Sequence, residues 1–271
     1  MINFPEKGQK NSAMAYKTLL WEKKEPIVKL SLNLPKTRNA LNLEMRLDLI
    51  DAFQKIRDDD SIKAVIVTGT GQAFSSGGDI RTMEGLTAVA TRKRLKQAQQ
   101  VTKALVELEK PIIGAINGHA VGAGASIALA CDILIASEEA KFAVSFVKIG
   151  AVPDLGAFYF WSLRLGPARA KELMWTGDLL DAREAERLGL VNRVVPAEKL
   201  EEEAVHLATR LAQGPTQVYA MIKAALNRWP SSLEDFLEME STMQAVAFSS
   251  PDFEEGRRAF LEKRKPVFRG R

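Results

Sequence analysis

The sequence predicts an α/β fold whose last quarter is helical. Three observations carry that expectation. Short apolar runs of strand character alternate with stretches of helical period, the signature of layered β/α architecture. Two of those runs feed glycine-rich loops. From about residue 196 every segment reads as helix, with Pro196, Pro215, Pro230 and Pro251 at starts and stops.

Taken in order, residues 1–16 are polar and read as a loose N-terminus. The β/α core is expected over residues 17–195 and the helical region over 196–271. Residues 18–22 and 27–32 are strand candidates, and the second alternates apolar and polar positions. Asn42 is placed to cap a helix running to about Arg57, with Leu43, Leu47, Ile50 and Phe53 in phase on one face. Residues 63–68 read as a buried strand, followed by a loop over 69–78 that contains four glycines. A long helix follows over 89–109, with Leu95, Ala98, Val101, Leu105 and Leu108 in register. Residues 111–116 form the next buried strand. A turn with glycines at 118, 122 and 124 leads into a short apolar helix, and residues 132–136 make a third buried strand. Asp181 with Glu184 has the spacing of a capping box.

The bulk numbers exclude several classes. The 271 residues suit one large domain with a sizeable core. Lys and Arg total 38 against 34 acids, a formal charge of +4, but the basic residues are scattered among acids with no stripe. Nucleic acid is therefore not the expected partner. No apolar run approaches the roughly 20 residues that span a bilayer, and the N-terminus has no signal-peptide core, so the expected location is cytoplasmic. Cys131 is the sole cysteine. It cannot form an internal disulfide, and its apolar surroundings suggest a small core residue.

Both glycine-rich loops follow buried strands and should open at the same edge. Small residues there let a ligand approach the main chain, and amides at a helix start point outward unpaired. Two such loops could aim two N–H groups at one oxygen. A phosphate loop is excluded because no Gly-Lys-Ser/Thr occurs, and Gly69-Thr-Gly71 lacks the third glycine of a dinucleotide fingerprint. One further feature stands out. In FVKIGAVPDLG, residues 146–156, a single carboxylate, Asp154, sits in apolar company. It has two readings: a cap for a helix starting near Leu155, or a general base in a desolvated pocket.

Four stretches in order, FSSGGDI, INGHAVGAGASIALACDILIA, AKFAVSFVKIGAVPDLG and TGDLLDAREAERLGLVNRVVP, resemble the crotonase (enoyl-CoA hydratase/isomerase) superfamily. The resemblance spans about residues 18–265. It implies a spiral of ββα units, an acyl-CoA thioester as ligand, and C-terminal helices that build homotrimers or homohexamers. By motif, the oxyanion donors would be the backbone N–H groups of Ser76 and Ala123, the latter an alanine where the family usually has glycine. Residues 36–40, with Lys36, Arg38 and Ala40, would lie along the CoA. Gly77, Gly78, Asp79, Ile80, Gly122, Ser126 and Phe146 complete the expected substrate contacts, with Asp79 as a cap or brace of the chain rather than a catalyst.

Family hydratases carry two glutamates that handle water. The matching positions here are Ser126 and Phe146, neither of which can serve as acid or base. The combination GAGAS, SFVKIG and VPD most resembles the isomerase branch, of the 1,2-epoxyphenylacetyl-CoA and 3-enoyl/2-enoyl types, in which one aspartate acts at the position of Asp154. The expected activity is movement of a double bond through a thioester enolate. No metal and no cofactor is expected, because coenzyme A is part of the substrate. The alternatives are a hydratase-like lyase with unusual residues and a homologue that binds acyl-CoA without turnover.

Overall fold

The computed structural model describes residues 16–270. The loose N-terminus expected over residues 1–16 falls outside that range except for Tyr16, whose hydroxyl donates to Asp51 at 2.6 Å.

The chain opens with an antiparallel pair, β1 (Leu19–Lys24) and β2 (Ile27–Leu32). Helix α1 (Leu43–Asp58) begins at the expected cap: the Asn42 side chain accepts from the Met45 amide at 2.8 Å. Its buried face differs from expectation. Met45, Arg46, Leu49, Ala52, Phe53 and Ile56 face inward, while Leu43 and Leu47 are exposed.

Three ββα units then follow. The first is β3 (Ala64–Gly69), β4 (Ala73–Ser75) and α2 (Ala88–Val106). The second is β5 (Ile112–Ile116), β6 (His119–Val121) and α3 (Ala123–Leu129). The third is β7 (Ile133–Ser137), β8 (Lys141–Ala143) and α4 (Ala157–Thr176). The first strand of each unit joins a six-stranded sheet and the second joins a four-stranded sheet. The large sheet runs β1-β2-β3-β5-β7 and ends on β10 (Arg193–Val195), parallel from β2 onward. In the small sheet β4, β6 and β8 are parallel, and β9 (Leu180–Asp181) closes the edge antiparallel to β8. Asp181 then caps α5 (Ala182–Arg187) through the Glu184 amide at 2.8 Å, as its spacing predicts.

The main core lies against one face of the large sheet, where Val28, Leu30, Val65, Val67 and Ile112 meet α1 and α2 residues such as Phe53 and Leu105. The opposite face, with Ile27, Ile66, Ile113 and Ile135, is covered by α6 (Leu200–Ala212) through Leu200, Ala204, Leu207 and Ala208. Only helices follow β10: after α6 come α7 (Thr216–Leu226), α8 (Leu233–Phe248) and α9 (Pro251–Leu261). Helix α8 has no buried residue among those described, and Leu233, Leu237, Val246 and Phe248 are exposed. No described helix is long and apolar enough to cross a membrane.

Candidate active site

The small sheet builds the site. Because β4, β6 and β8 are parallel neighbours, the segments after them emerge side by side at one edge. After β4 comes Ser76-Gly77-Gly78, after β6 comes Gly122-Ala123, and after β8 come Ser145 and Phe146. The first two loops touch. Gly77 has φ +90°, and a Cβ there would lie 2.6 Å from the Val121 oxygen and 3.2 Å from the Ala123 nitrogen. A Cβ on Gly124 would meet the Ser75 oxygen at 2.5 Å. Glycine at 77 and 124 is thus a condition for bringing the loops together.

The amides of these loops are not equivalent. Ser76 N–H donates to the Arg38 carbonyl at 2.8 Å, and the Ser76 hydroxyl donates to Thr37 O at 3.0 Å. That corrects the expectation of Ser76 as an oxyanion donor: its hydrogen is already committed to backbone. Gly77 N–H donates to Ser75 Oγ at 3.2 Å. Gly78 N–H meets no acceptor among the described residues, although Gly78 is bridged to Leu41. Ala123 N–H is also without one. It opens α3, and its cap Gly122 supplies no side chain to accept it. Gly78 and Ala123 thus each present an open amide where the adjoining loops meet.

The segment before them is held by Asn39. This residue is buried with φ 57°. Its Oδ1 accepts from Leu34 N at 2.8 Å, and its Nδ2 donates to Thr70 O at 3.0 Å and Ala73 O at 2.8 Å. Asn39 was not singled out in the sequence, yet it sets the Arg38 carbonyl that takes Ser76 N–H. Lys36 and Arg38 are exposed beside it, and Ala40 is buried. Asp79 is a brace. Its carboxylate accepts from Arg81 Nε and Nη2, both at 2.8 Å, and Arg81 holds it below its ordinary pKa. Ile80 is exposed beside it.

Asp154 does not cap a helix. Helix α4 begins at Ala157 with Gly156 as its cap and no capping side chain. The turn carrying Asp154 is fixed from two sides instead. Ser126, fully buried on α3, donates its hydroxyl to Asp154 O at 3.0 Å. Thr102 on α2 donates to Leu155 O at 3.1 Å. Leu155 has φ 50°, a left-handed conformation that costs a non-glycine residue energy and is found mostly where surrounding structure imposes it. The Asp154 Oδ1 is buried without a hydrogen-bond partner. Burial pushes the carboxyl up to about 6, against the opposing pull of the Arg46 and Arg94 charges. Phe146, half-buried, lays its ring against Gly122, within 3.8 Å of where a Cβ would stand.

A ββα spiral with two glycine-bound loops meeting at one edge, beside a desolvated carboxylate, defines a crotonase-type enzyme. The chain belongs to the enoyl-CoA hydratase/isomerase family, which it matches over residues 22–271. It is 37% identical over 257 residues to the crotonyl-CoA hydratase of Syntrophomonas wolfei, covering 94% of this chain and 99% of that one. Among solved structures it is similar to an enoyl-CoA hydratase subunit I of Geobacillus kaustophilus, with a TM-score of 0.90, 34% identity, and 94% and 99% of the two chains covered. It is likewise similar to the enoyl-CoA hydratase of Bacillus anthracis, with a TM-score of 0.89, 31% identity, and 94% and 100% covered. Among the described residues no cluster of side chains could hold a metal ion.

Proposed function

We propose that this chain is an acyl-CoA isomerase that moves a double bond with Asp154 as its single base. The observation that carries the reading is the state of that carboxylate. The side chain is half-buried, its Oδ1 is buried without a partner, and burial pushes its pKa up to about 6, which are the properties of a group kept to exchange protons. The other acid of the region, Asp79, is locked by Arg81.

In this reading the thioester oxygen lies against the Gly78 and Ala123 amides, and Lys36 and Arg38 flank the CoA. Asp154 takes the C2 proton of a 3-enoyl thioester. The C2–H electron pair moves into the adjacent thioester carbonyl, giving a dienolate that is conjugated with the C3–C4 double bond and carries its charge on the oxygen between the two amides. Each such donor contributes about 3 kcal/mol to a transition state of this kind. Protonated Asp154 then returns the proton at C4, yielding the 2-enoyl thioester. Ring-type substrates such as those of 1,2-epoxyphenylacetyl-CoA isomerases would use the same oxyanion site. The exposed apolar side chains of α7 and α8 would be covered in a homotrimer or homohexamer.

The names of the relatives favour a second reading, a hydratase. Against it, the positions of the family's glutamate pair hold Ser126, whose hydroxyl is spent on Asp154 O, and Phe146. The products distinguish the readings. Isomerisation converts a 3-enoyl-CoA into a conjugated 2-enoyl-CoA of equal mass. Hydration converts a 2-enoyl-CoA into a 3-hydroxyacyl-CoA heavier by one water. Faster hydration than isomerisation would overturn the proposal, and binding with neither product would leave a non-catalytic acyl-CoA carrier.

A further inference from the structure

Among the described residues only three buried side-chain polar atoms lack a hydrogen-bond partner: Asp154 Oδ1, Trp161 Nε1 and Arg46 Nε. Arg46 is the unexpected one. It projects from the buried face of α1 among Met45, Leu49 and Phe53 and is only 7% exposed, and among the described residues its Nε has no acceptor. Burial pushes its guanidinium below the ordinary value, and the Asp154 charge partly restores it. The two groups are thus near enough to feel one another, yet each keeps an unused hydrogen-bonding atom.

A buried guanidinium N–H without an acceptor is costly, and a folded chain normally pairs such a group or does without it. Arg94, the neighbouring cation on α2, illustrates the paired case: it donates to Thr82 O at 2.7 Å and Thr82 Oγ1 at 2.8 Å. Nothing equivalent reaches Arg46. The elements around it belong to the site. Helix α1 starts directly after the 36–40 segment and is tied to Gly78 through Leu41. Helix α2 carries Arg94 and, through Thr102, holds the Asp154 turn. In the acyl-CoA reading of the site, the space beside Asp154 is taken by the acyl group, which can supply the acceptor that Arg46 Nε lacks.

We propose that Arg46 is a specificity-determining residue that receives a carboxylate at the far end of the acyl chain, so that the substrates are ω-carboxylated acyl-CoA thioesters rather than plain alkyl ones. The planar guanidinium fork suits a carboxylate. With Asp154 ionised, the two arginines leave the cluster one positive charge in excess, which favours an anionic acyl group. A methyl-ended chain would leave the cation desolvated and unpaired, which is how such sites reject an analogue lacking the polar group.

The inference rests on the acyl-CoA reading of the site but not on the isomerisation chemistry, so its test uses saturated thioesters that cannot react. Binding of succinyl-, glutaryl- and adipoyl-CoA is compared by calorimetry with that of methyl-ended acyl-CoAs of matched length. At the best chain length the wild type is expected to favour the carboxylate by about tenfold or more. Arg46→Met should abolish the preference, and Arg46→Lys should keep part of it. Asp154→Asn, which removes a negative charge from the cluster, should leave the preference in place whether or not Asp154 takes part in turnover. The proposal is overturned if no chain length shows the preference in the wild type, or if the preference survives Arg46→Met. Should Arg46→Met fail to fold, the wild-type comparison still decides.

Discussion

Replacing Asp154 by asparagine should make the protein a worse enzyme and a more stable one. The carboxyl has an ordinary value of 3.8 and rises to about 6 in the fold. At about 1.4 kcal/mol per tenfold in proton affinity, the ionised form is disfavoured by up to about 3 kcal/mol in the folded chain. The sign follows from proton binding. Between pH 4 and 6 the folded chain holds a proton that the unfolded chain has released, so this group's contribution to stability falls as pH rises through that window. Above pH 6 the full penalty is present, and asparagine removes it. An amide in an unpartnered position recovers part of that energy, so a gain of about 1–2 kcal/mol at pH 8, or a few degrees in Tm, is expected. The gain should vanish near pH 4. Activity should move the other way, with isomerisation of a 3-enoyl-CoA falling by about 10²–10⁴-fold. In the wild type kcat/KM should rise with pH and level off above about 6, because only the ionised base accepts a proton. The assays are paired melting curves at pH 4 and 8 and a conjugation-linked absorbance rate. A variant with near-normal rate, or one destabilised at pH 8, would refute the reasoning.

Gly77→Ala should cost at least about 2 kcal/mol, since a side chain at φ +90° is strained and its Cβ would press on Val121 O and Ala123 N. Activity should fall with it in rate assays, whereas Gly85→Ala, at φ +68° with nothing nearby, should lose stability alone. The apolar groove between α7 and α8, lined by Met221, Ile222, Phe236, Leu237 and Met243, should be buried in a trimer or hexamer. Light scattering that finds a monomer at micromolar concentration would defeat that expectation.

Much of this protein follows from local pattern. Residues 27–32 and those of β3, β5 and β7 are apolar enough over five or six positions to be read as buried strands. Asn42 and Asp181 announce their helices because a cap acts within three residues. The loop glycines and the lone Asp154 likewise point to the candidate site, and the family motifs order them. Other features arise only when distant segments meet. Strands β4, β6 and β8 have three residues each, too few for any period, and exist because they pair with one another. The inward face of α1 is chosen by what packs on it, so Arg46 goes in while Leu43 and Leu47 stay out. Ser76 and Gly78 each offer one amide, and sequence cannot tell them apart. The fold decides, because Arg38 O, set by the left-handed Arg38 and Asn39, takes the first and leaves the second open. The basicity of Asp154 is likewise a tertiary property: its desolvation and the charges of Arg46 and Arg94 come from elements distant along the chain, Arg46 more than a hundred residues away, and a pKa depends on what surrounds a group in space.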